Sequence, residues 1–416
     1  MTLRVYLHNK FCGNLFTTEN RGIVFRYDES YLCSQNVQAL SISLPLRKDE
    51  FSQKECLPYF SGLLPEGEVK RQISSYLHIS ESSTVKLLKA LGGECAGTVV
   101  FNSEDEPPLQ LKKEYELNDE NYTLITDKGI SNLIDKMEES PLVLSRKDFR
   151  LSLAGAQQKI ALAYFDDKWF VPKGNAPSTH IIKPSRRDFS DIAQNEYLSM
   201  QLGGIFIGDV ASSSLIDFCG KKVFCVRRFD RRQDGNKIRR VHQEDMCQVR
   251  GIMGDKKYQS DGGPSIKDIY KLISEQSSNP ITDMRKLLRS VIFQFLIGNC
   301  DAHGKNFSFL EENGSIFLSP SYDIVSTAIY PSLTRKLSMT IGNEYALDKI
   351  VHSHLIELAD KIGMKISTIN TILEDFEKKI PDAIEFLKKD KVAFENRELA
   401  SAIWEGFLAR WDSIHK

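Results

Sequence analysis

Gly298-Asn299-Cys300-Asp301-Ala302-His303-Gly304-Lys305-Asn306 is a polar stretch set between two apolar ones. Before it, Met284, Leu287, Leu288, Val291, Ile292 and Phe295 recur at the i, i+3, i+4, i+7 spacing of one helix face, so a helix stops near Gly298. After it, Phe307 to Leu310 reads as a strand leading to Leu318-Ser319-Pro320-Ser321-Tyr322-Asp323.

Phosphoryl transfer asks little covalent help of a protein. It needs an acid to orient the attacking hydroxyl, oxygen ligands for magnesium, and cations over the phosphates. Asp301 and Asn306 have the separation of the base and the metal-binding Asn in the eukaryotic kinase catalytic loop. Asp323, after a short hairpin, falls where the second metal-binding acid belongs, and Lys305 is placed to neutralise charge on a transferred phosphoryl group. Asp301 or Asn306 alone is better read as an ordinary turn residue; the weight lies in the combination. His303 has no second His and only Cys300 nearby, and reads as a polar contact rather than a metal ligand.

Upstream, Ser152-Leu153-Ala154-Gly155-Ala156-Gln157-Gln158-Lys159 precedes an apolar run, Ile160 to Tyr164. Small residues let backbone N–H groups approach phosphate oxygens, although a tight hairpin or helix cap explains the stretch on its own. Lys183 ends a strand-like run from Thr179, and Glu196 lies on a predicted helix, Asp191 to Leu202, where it can hold that lysine. The helix is expected to stop at Gly203-Gly204. Val226-Arg227-Arg228-Phe229-Asp230-Arg231 fits a hinge between lobes that reads an adenine edge, and fits equally an arginine-rich hairpin around a core Phe. Arg227, Arg228, Arg231, Arg232, Arg239 and Arg240 also allow a nucleic-acid patch, though no aromatic platforms are interleaved with them.

A chain of 416 residues exceeds one compact core. Its 55 basic and 56 acidic residues leave a formal net charge of −1, which excludes overall attraction to nucleic acid or anionic lipid. Eight cysteines without a CxxC pair suit buried thiols in a reducing compartment. Without a signal-peptide core or a bilayer-length apolar run, the expectation is a soluble, cytoplasmic protein that meets no membrane. Residues 1 to about 105 read as short strands, with alternation at Leu3/Val5/Leu7, Ile23/Phe25/Tyr27 and Leu40/Ile42/Leu44/Leu46. Pro58 and then Gly62/Pro65/Gly67 break a helical passage, and Asn102 to Glu120 is the best linker. An Asp234-Gly235 hairpin signal follows the arginine run, and beyond 265 the chain turns helical.

Together SLAGAQQK (152–159), THIIKP (179–184), RRFDRR (227–232), HQEDMCQ (242–248), YQSDGGP (258–264), GNCDAHGKNFS (298–308) and SYD (321–323) resemble, in order and spacing, the HipA family of bacterial toxin kinases. SISLPL (41–46) and YFSGLLPEG (59–67) resemble that family's small N-terminal subdomain, so the resemblance spans nearly the whole chain. It implies an α+β, bilobed, protein-kinase-like fold: an N-terminal subdomain over 1–105, an N-lobe over 106–250 and a helical C-lobe over 251–416. It implies a serine/threonine kinase using ATP and Mg2+, with Asp301 as catalytic base assisted by Lys305, and Asn306 and Asp323 as magnesium ligands. Nucleotide contacts would come from Ser152, Ala154, Gly155, Ala156, Gln157, Lys159, Lys183, Arg227, Arg228, Phe229, Gln243, His303, Asn306, Tyr322 and Asp323. Autophosphorylation of Ser152 would silence the phosphate loop, because a phosphoserine brings negative charge to a loop built for phosphates. Implied partners are an aminoacyl-tRNA synthetase as target and a helix-turn-helix antitoxin of HipB type, with DNA met only through the antitoxin. Position 227 is Arg where the family pattern expects an acid. A small-molecule or lipid kinase of the same fold, and a non-catalytic nucleotide-binding corepressor, are the alternatives.

Overall fold

The Leu3/Val5/Leu7 alternation becomes the strand Thr2–Leu7, whose Leu3, Val5 and Leu7 side chains turn into one core. In this computed structural model residues 1–19, 22–139, 157–185 and 188–415 are described. The first sheet is antiparallel, in the order Ile23–Tyr27, Lys10–Thr17, Thr2–Leu7, Val100–Ser103. Helices Gln53–Gly62 and Thr84–Leu91 pack on it through Tyr59, Phe60, Leu87 and Leu88. Residues 3–101 thus bury an apolar core of their own.

Local patterns mislead at three places here. Leu40 to Leu46 is no strand: it forms a tight turn with an isolated bridge between Ser41 and Leu44. The buried Tyr27 hydroxyl fixes it by accepting from the Leu40 N–H and donating to the Leu44 carbonyl, each at 2.6 Å. Pro58 does not break its helix, since it lies buried inside Gln53–Gly62 with Tyr59 and Phe60 packed beside it. The expected linker begins later than Asn102, which is in the strand Val100–Ser103, and Tyr115–Glu116 adds a short strand to the arginine hairpin.

A six-stranded sheet follows, with every neighbour antiparallel, in the order Ser213–Phe218, Lys221–Arg227, His180–Pro184, Ile160–Phe165, Lys168–Pro172, Tyr122–Ile125. Helix Ile192–Phe206 packs against its end. This helix runs through Gly203-Gly204 rather than stopping there. A Cβ at Gly203 would lie 3.0 Å from Ile324 Cδ1 and 3.4 Å from Phe293, so the glycine serves close packing. The chain turns only beyond, where Gly208 takes φ +93°.

The second half is built around helix Pro280–Ile297, in which Leu287, Leu288 and every residue from Ser290 to Ile297 are buried. The expected one-sided stripe describes only its start; its last two turns are enclosed on all sides. Phe293 stacks on Phe206 and both meet Phe407, while Phe206 also meets Phe376. Each such buried side chain is worth about 1.5–3 kcal/mol. Helices Ile266–Gln276, His352–Lys361, Ile366–Lys389 and Arg397–Ile414 complete this layer. Between the halves lies a three-stranded sheet, His242–Asp245, Ser308–Glu312, Ser315–Leu318.

The arginine-rich hairpin, Arg231–Asp234 and Lys237–Arg240, forms as expected but turns at Gly235-Asn236, one residue beyond the Asp234-Gly235 pair that signalled it. It forms no surface patch. Arg228, Arg231 and Arg240 converge from 2.6–3.0 Å on the buried Glu94 of the first unit. Asp230 pairs with Arg228 and Arg231, each at 2.7 Å, and accepts the Gly97 N–H at 2.8 Å. Arg232 and Arg239 pair with Glu312. Burial alone would raise the Glu94 pKa, but the three guanidinium groups outweigh it and hold it at about 2. This knot bolts the first unit onto the rest. All eight cysteines are free, six of them buried. Among the described residues no helix is long and apolar enough to cross a membrane.

Candidate active site

The polar loop after helix Pro280–Ile297 starts at Gly298, which caps the helix at φ +77°, a conformation costly for any residue with a Cβ. Asn299 then braces the loop, its Oδ1 accepting the Asp301 N–H at 3.0 Å and its Nδ2 donating to Gln294 at 2.8 Å. A single 3-10 turn, Gly304–Asn306, leads into strand Ser308–Glu312. Gly304 can only be small, because a Cβ there would sit 2.3 Å from Pro264. Asn306 Oδ1 accepts the His303 N–H at 3.0 Å, and its Nδ2 donates to Asp323 Oδ2 at 3.1 Å. Asp323 takes φ +57°, a left-handed conformation that Asp tolerates better than most side chains.

Lys183, on strand His180–Pro184, reaches both Glu196 Oε1 and Asp323 Oδ1 at 2.5 Å. Helix Ile192–Phe206 holds Glu196 in place and is itself tied to the loop beyond Asp323. Asn195 donates to the Ser326 carbonyl at 3.0 Å, and the Tyr330 hydroxyl donates to Asp191 at 2.9 Å. Burial opposes the charge on Lys183, but Asp323 and Glu196 outweigh it and keep its pKa above that of an ordinary lysine. Asp323, with 44% of its side chain open to the cleft, is held well below the usual range: desolvation opposes ionisation, and Lys183 and Lys159 win. Glu196 is the weaker acid of the two. Its complete enclosure pushes its pKa up to about 7 in spite of Lys183.

These groups line a cleft of about 680 Å³. On one wall Phe229 and Tyr322 lie with ring centres 5.0 Å apart. The Tyr322 hydroxyl donates to the Lys305 carbonyl at 2.7 Å and lies 2.6 Å from Ser308 Oγ, to which Gln243 donates at 3.2 Å. Gln157 donates to the Pro184 carbonyl at 3.3 Å, and Lys159 lines the same cleft with its pKa drawn down to about 8 by desolvation and the nearby Lys183. Asp301 keeps an accessible edge and accepts the Tyr258 hydroxyl at 2.7 Å. Desolvation by the surrounding protein raises its pKa, against the Tyr258 hydrogen bond and the charge of Lys257. His303 is buried with its ring edge on Tyr258, and burial lowers its pKa to about 3, so it is neutral. Its Nδ1 finds no hydrogen-bond partner among the described residues.

The structure therefore brings Lys183, Glu196, Phe229, Gln243, Asp301, His303, Asn306, Tyr322 and Asp323 to one cleft. Ser152, Ala154, Gly155 and Ala156 lie outside the described residues. Arg227 and Arg228 also line the cleft, Arg227 exposed and Arg228 buried. Their N–H groups donate to the Ser212 and Thr179 carbonyls at 2.8 Å, and the Arg228 side chain turns to Glu94. Lys305 does not stand open over the cleft: its ammonium is held by Glu66 at 2.7 Å, Asp245 at 3.5 Å and the Gly62 carbonyl at 3.2 Å. Sequence reasoning left Glu66, Asp245, Lys257 and Tyr258 without roles. Glu66 and Tyr258 fall inside the YFSGLLPEG and YQSDGGP blocks, which was the one signal for them.

Residues 3–102 match the model of the HipA N-terminal domain and residues 151–384 that of the HipA-like C-terminal domain. A Sinorhizobium fredii protein, Y4mE, named as a candidate kinase, is 38% identical over 347 residues, covering 83% of this chain and 82% of its own. The serine/threonine-protein kinase toxin HipA of Shewanella oneidensis is 28% identical over 399 residues, 92% of this chain and 88% of that protein. A solved structure of the Shewanella oneidensis toxin–antitoxin complex of HipA, HipB and operator DNA superposes with a TM-score of 0.79 at 25% identity, over 99% of this chain and 96% of that one. With both domain models matched in order along one chain, and a solved relative overlaid nearly end to end, this chain belongs to the HipA family and has its bilobed, protein-kinase-like α+β fold.

Proposed function

We propose that the chain is an ATP- and magnesium-dependent serine/threonine protein kinase acting as the toxin of a toxin–antitoxin pair. The observation that carries this reading is the Lys183 ammonium bridging Glu196 and Asp323 at 2.5 Å, with Asn306 beside Asp323 at 3.1 Å. A strand lysine held by a helix glutamate, next to an acid and an amide on the facing lobe, is the arrangement that clamps a nucleotide triphosphate. In this reading Lys183 and Lys159 hold the phosphates, Phe229, Tyr322 and Gln243 take the adenosine side, and Asp301 accepts the proton of the attacking hydroxyl. Asn306 and Asp323 would hold magnesium. Among the described residues no three His, Cys, Asp or Glu side chains gather into a self-sufficient metal site. That donor set suits magnesium, which keeps waters and completes its shell with phosphate oxygens. The ion would neutralise charge on the phosphates while Lys183 fixes their position.

The finer reading follows the family. Ser152 would be the autophosphorylation site that shuts the phosphate loop, and a translation component such as an aminoacyl-tRNA synthetase the target. A helix-turn-helix antitoxin of HipB type would bring the chain to DNA, a partnership supported by the HipA–HipB–operator complex that the chain superposes on.

The test is incubation of the purified chain with labelled ATP and magnesium, followed by mass-spectrometric location of the phosphate. Label on Ser152, absent from an Asp301→Ala variant that still binds ATP, is the expected result; label retained in Asp301→Ala overturns that residue as the base. No incorporation by a chain shown to bind ATP and to be unphosphorylated at the outset would favour a small-molecule kinase or a corepressor.

A further inference from the structure

Glu66 belongs to the first unit, yet its carboxylate lies in the cleft of the other two layers. It occupies the N-cap position of helix Gly67–Tyr76 but makes no capping bond to that helix. An N-cap side chain normally satisfies one of the free N–H groups of the first turn. Here Pro65 before it and Gly67 after it, at φ +54°, turn the chain so that the carboxylate leaves its own helix. It reaches Lys305 Nζ at 2.7 Å and Lys257 Nζ at 3.1 Å, from two different segments of the second half. Gly254 makes room, since a Cβ there would sit 3.1 Å from Glu66 Oε1 and 3.5 Å from Lys305 Nζ. Desolvation works against ionisation of Glu66, but the two ammonium groups hold its pKa at about 2, so it is charged throughout the neutral range.

The two lysines flank the loop that carries Asp301. Lys305 is one residue from Asn306, and the Gly304 N–H donates to the Lys257 carbonyl at 3.3 Å. The residue after Lys257 is Tyr258, the hydrogen-bond donor to Asp301. An ammonium on a four-carbon stem has many conformers, and fixing two of them in advance removes that ordering cost from the reacting complex.

We propose that Glu66 is a positioning residue of the phosphoryl-transfer site, lent by the N-terminal unit, which holds Lys257 and Lys305 against the loop that presents Asp301 to the acceptor. The inference rests on the kinase reading above. It makes the N-terminal unit a working part of the site rather than an attached module.

The experiment uses the full chain and three forms: unsubstituted, Glu66→Gln and Glu94→Gln. Glu94→Gln loosens the same unit at the arginine knot, whose Arg228 and Asp230 border the cleft, and leaves the Glu66–lysine pair in place. For each, the maximal rate of label transfer from ATP, the half-saturating ATP concentration and Tm are measured. Glu66→Gln is expected to lower the maximal rate about 10- to 100-fold, as small misplacements of reacting groups do, while half-saturation moves less than about threefold. Glu94→Gln is expected to lose at least as much Tm with a smaller loss of rate. A normal rate in Glu66→Gln, or equal losses of rate in the two variants at equal Tm, overturns the proposal and leaves the kinase reading standing. Absence of transfer by the unsubstituted chain overturns the kinase reading and this proposal together.

Discussion

The Tyr258 hydroxyl donates to Asp301, and that bond is among the forces that lower the pKa of a carboxyl which desolvation has raised. A base must be ionised to act, so a raised pKa means activity is lost as pH falls through it. Removing the donor in Tyr258→Phe weakens the opposition and raises the pKa further. The rising limb of kcat/KM against pH should therefore move to higher pH in Tyr258→Phe; a limb that stays put or moves down contradicts Asp301 as the titrating base. At this scale the sequence was legible where chemistry and spacing are local. Asp301, Asn306 and Asp323 fall within one loop and the hairpin after it, and a lysine ending a strand is an expected partner for a helix glutamate. Glu66 was not legible, because what it touches lies 191 residues away at Lys257 and farther still at Lys305. Nor was the burial of Lys305 and Arg228, whose side chains look from sequence like free cations and in the fold are spent on Glu66 and Glu94.

Helix Pro280–Ile297 delivers the reactive loop, and the junction depends on Gly298. Its φ of +77° is unfavourable for L side chains, and a Cβ would come within 2.8 Å of Ala328 and 2.9 Å of the Arg410 guanidinium. Arg410 cannot easily withdraw, because its Nε donates to the Leu296 carbonyl at 2.8 Å. Gly298→Ala is expected to cost about 2–4 kcal/mol, measured by urea unfolding, with most of the transfer activity lost at temperatures where the variant is still folded. A change below 0.5 kcal/mol would mean the loop relaxes freely, contrary to the packing. The helix and its stop were readable because period and glycine agree. Gly203-Gly204 offered the same sign with the opposite outcome, since tight packing of one glycine against Ile324 cannot be told from a helix stop without knowing what lies opposite. The Leu40–Leu46 alternation failed for a related reason: the Tyr27 hydroxyl and the Glu244 carboxylate, remote in sequence, hold its backbone in a turn that buries Leu40 and Leu44 and leaves Leu46 exposed.

Over the whole molecule, two carboxylates of the first unit anchor it, Glu94 at the arginine knot and Glu66 at the lysine pair. Both have pKa values near about 2, depressed from 4.5, so their contribution is complete above 4.5 and is lost as pH falls towards about 2. Glu94→Gln should cost about 3–5 kcal/mol at neutral pH, because it strands buried guanidinium groups. The gap in stability between the two forms should close on acidification through that window; a gap independent of pH would place the anchor elsewhere. Composition and element order made the mixed first half and helical second half readable, whereas the ionic joints between them were hidden by their span. Glu94 meets Arg240 across 146 residues, and Glu66 meets Lys257 across 191. At ribosomal speeds of about 5–20 residues per second these gaps last about 7–30 s and 10–40 s. The first unit, with a core of its own, can fold as it emerges and then present two bare carboxylates to the cell until their cations are made. During synthesis the arginine knot, whose Arg228 and Asp230 border the cleft, can close before Lys257 and Lys305 exist, so one wall of the cleft is set before the loop that completes it.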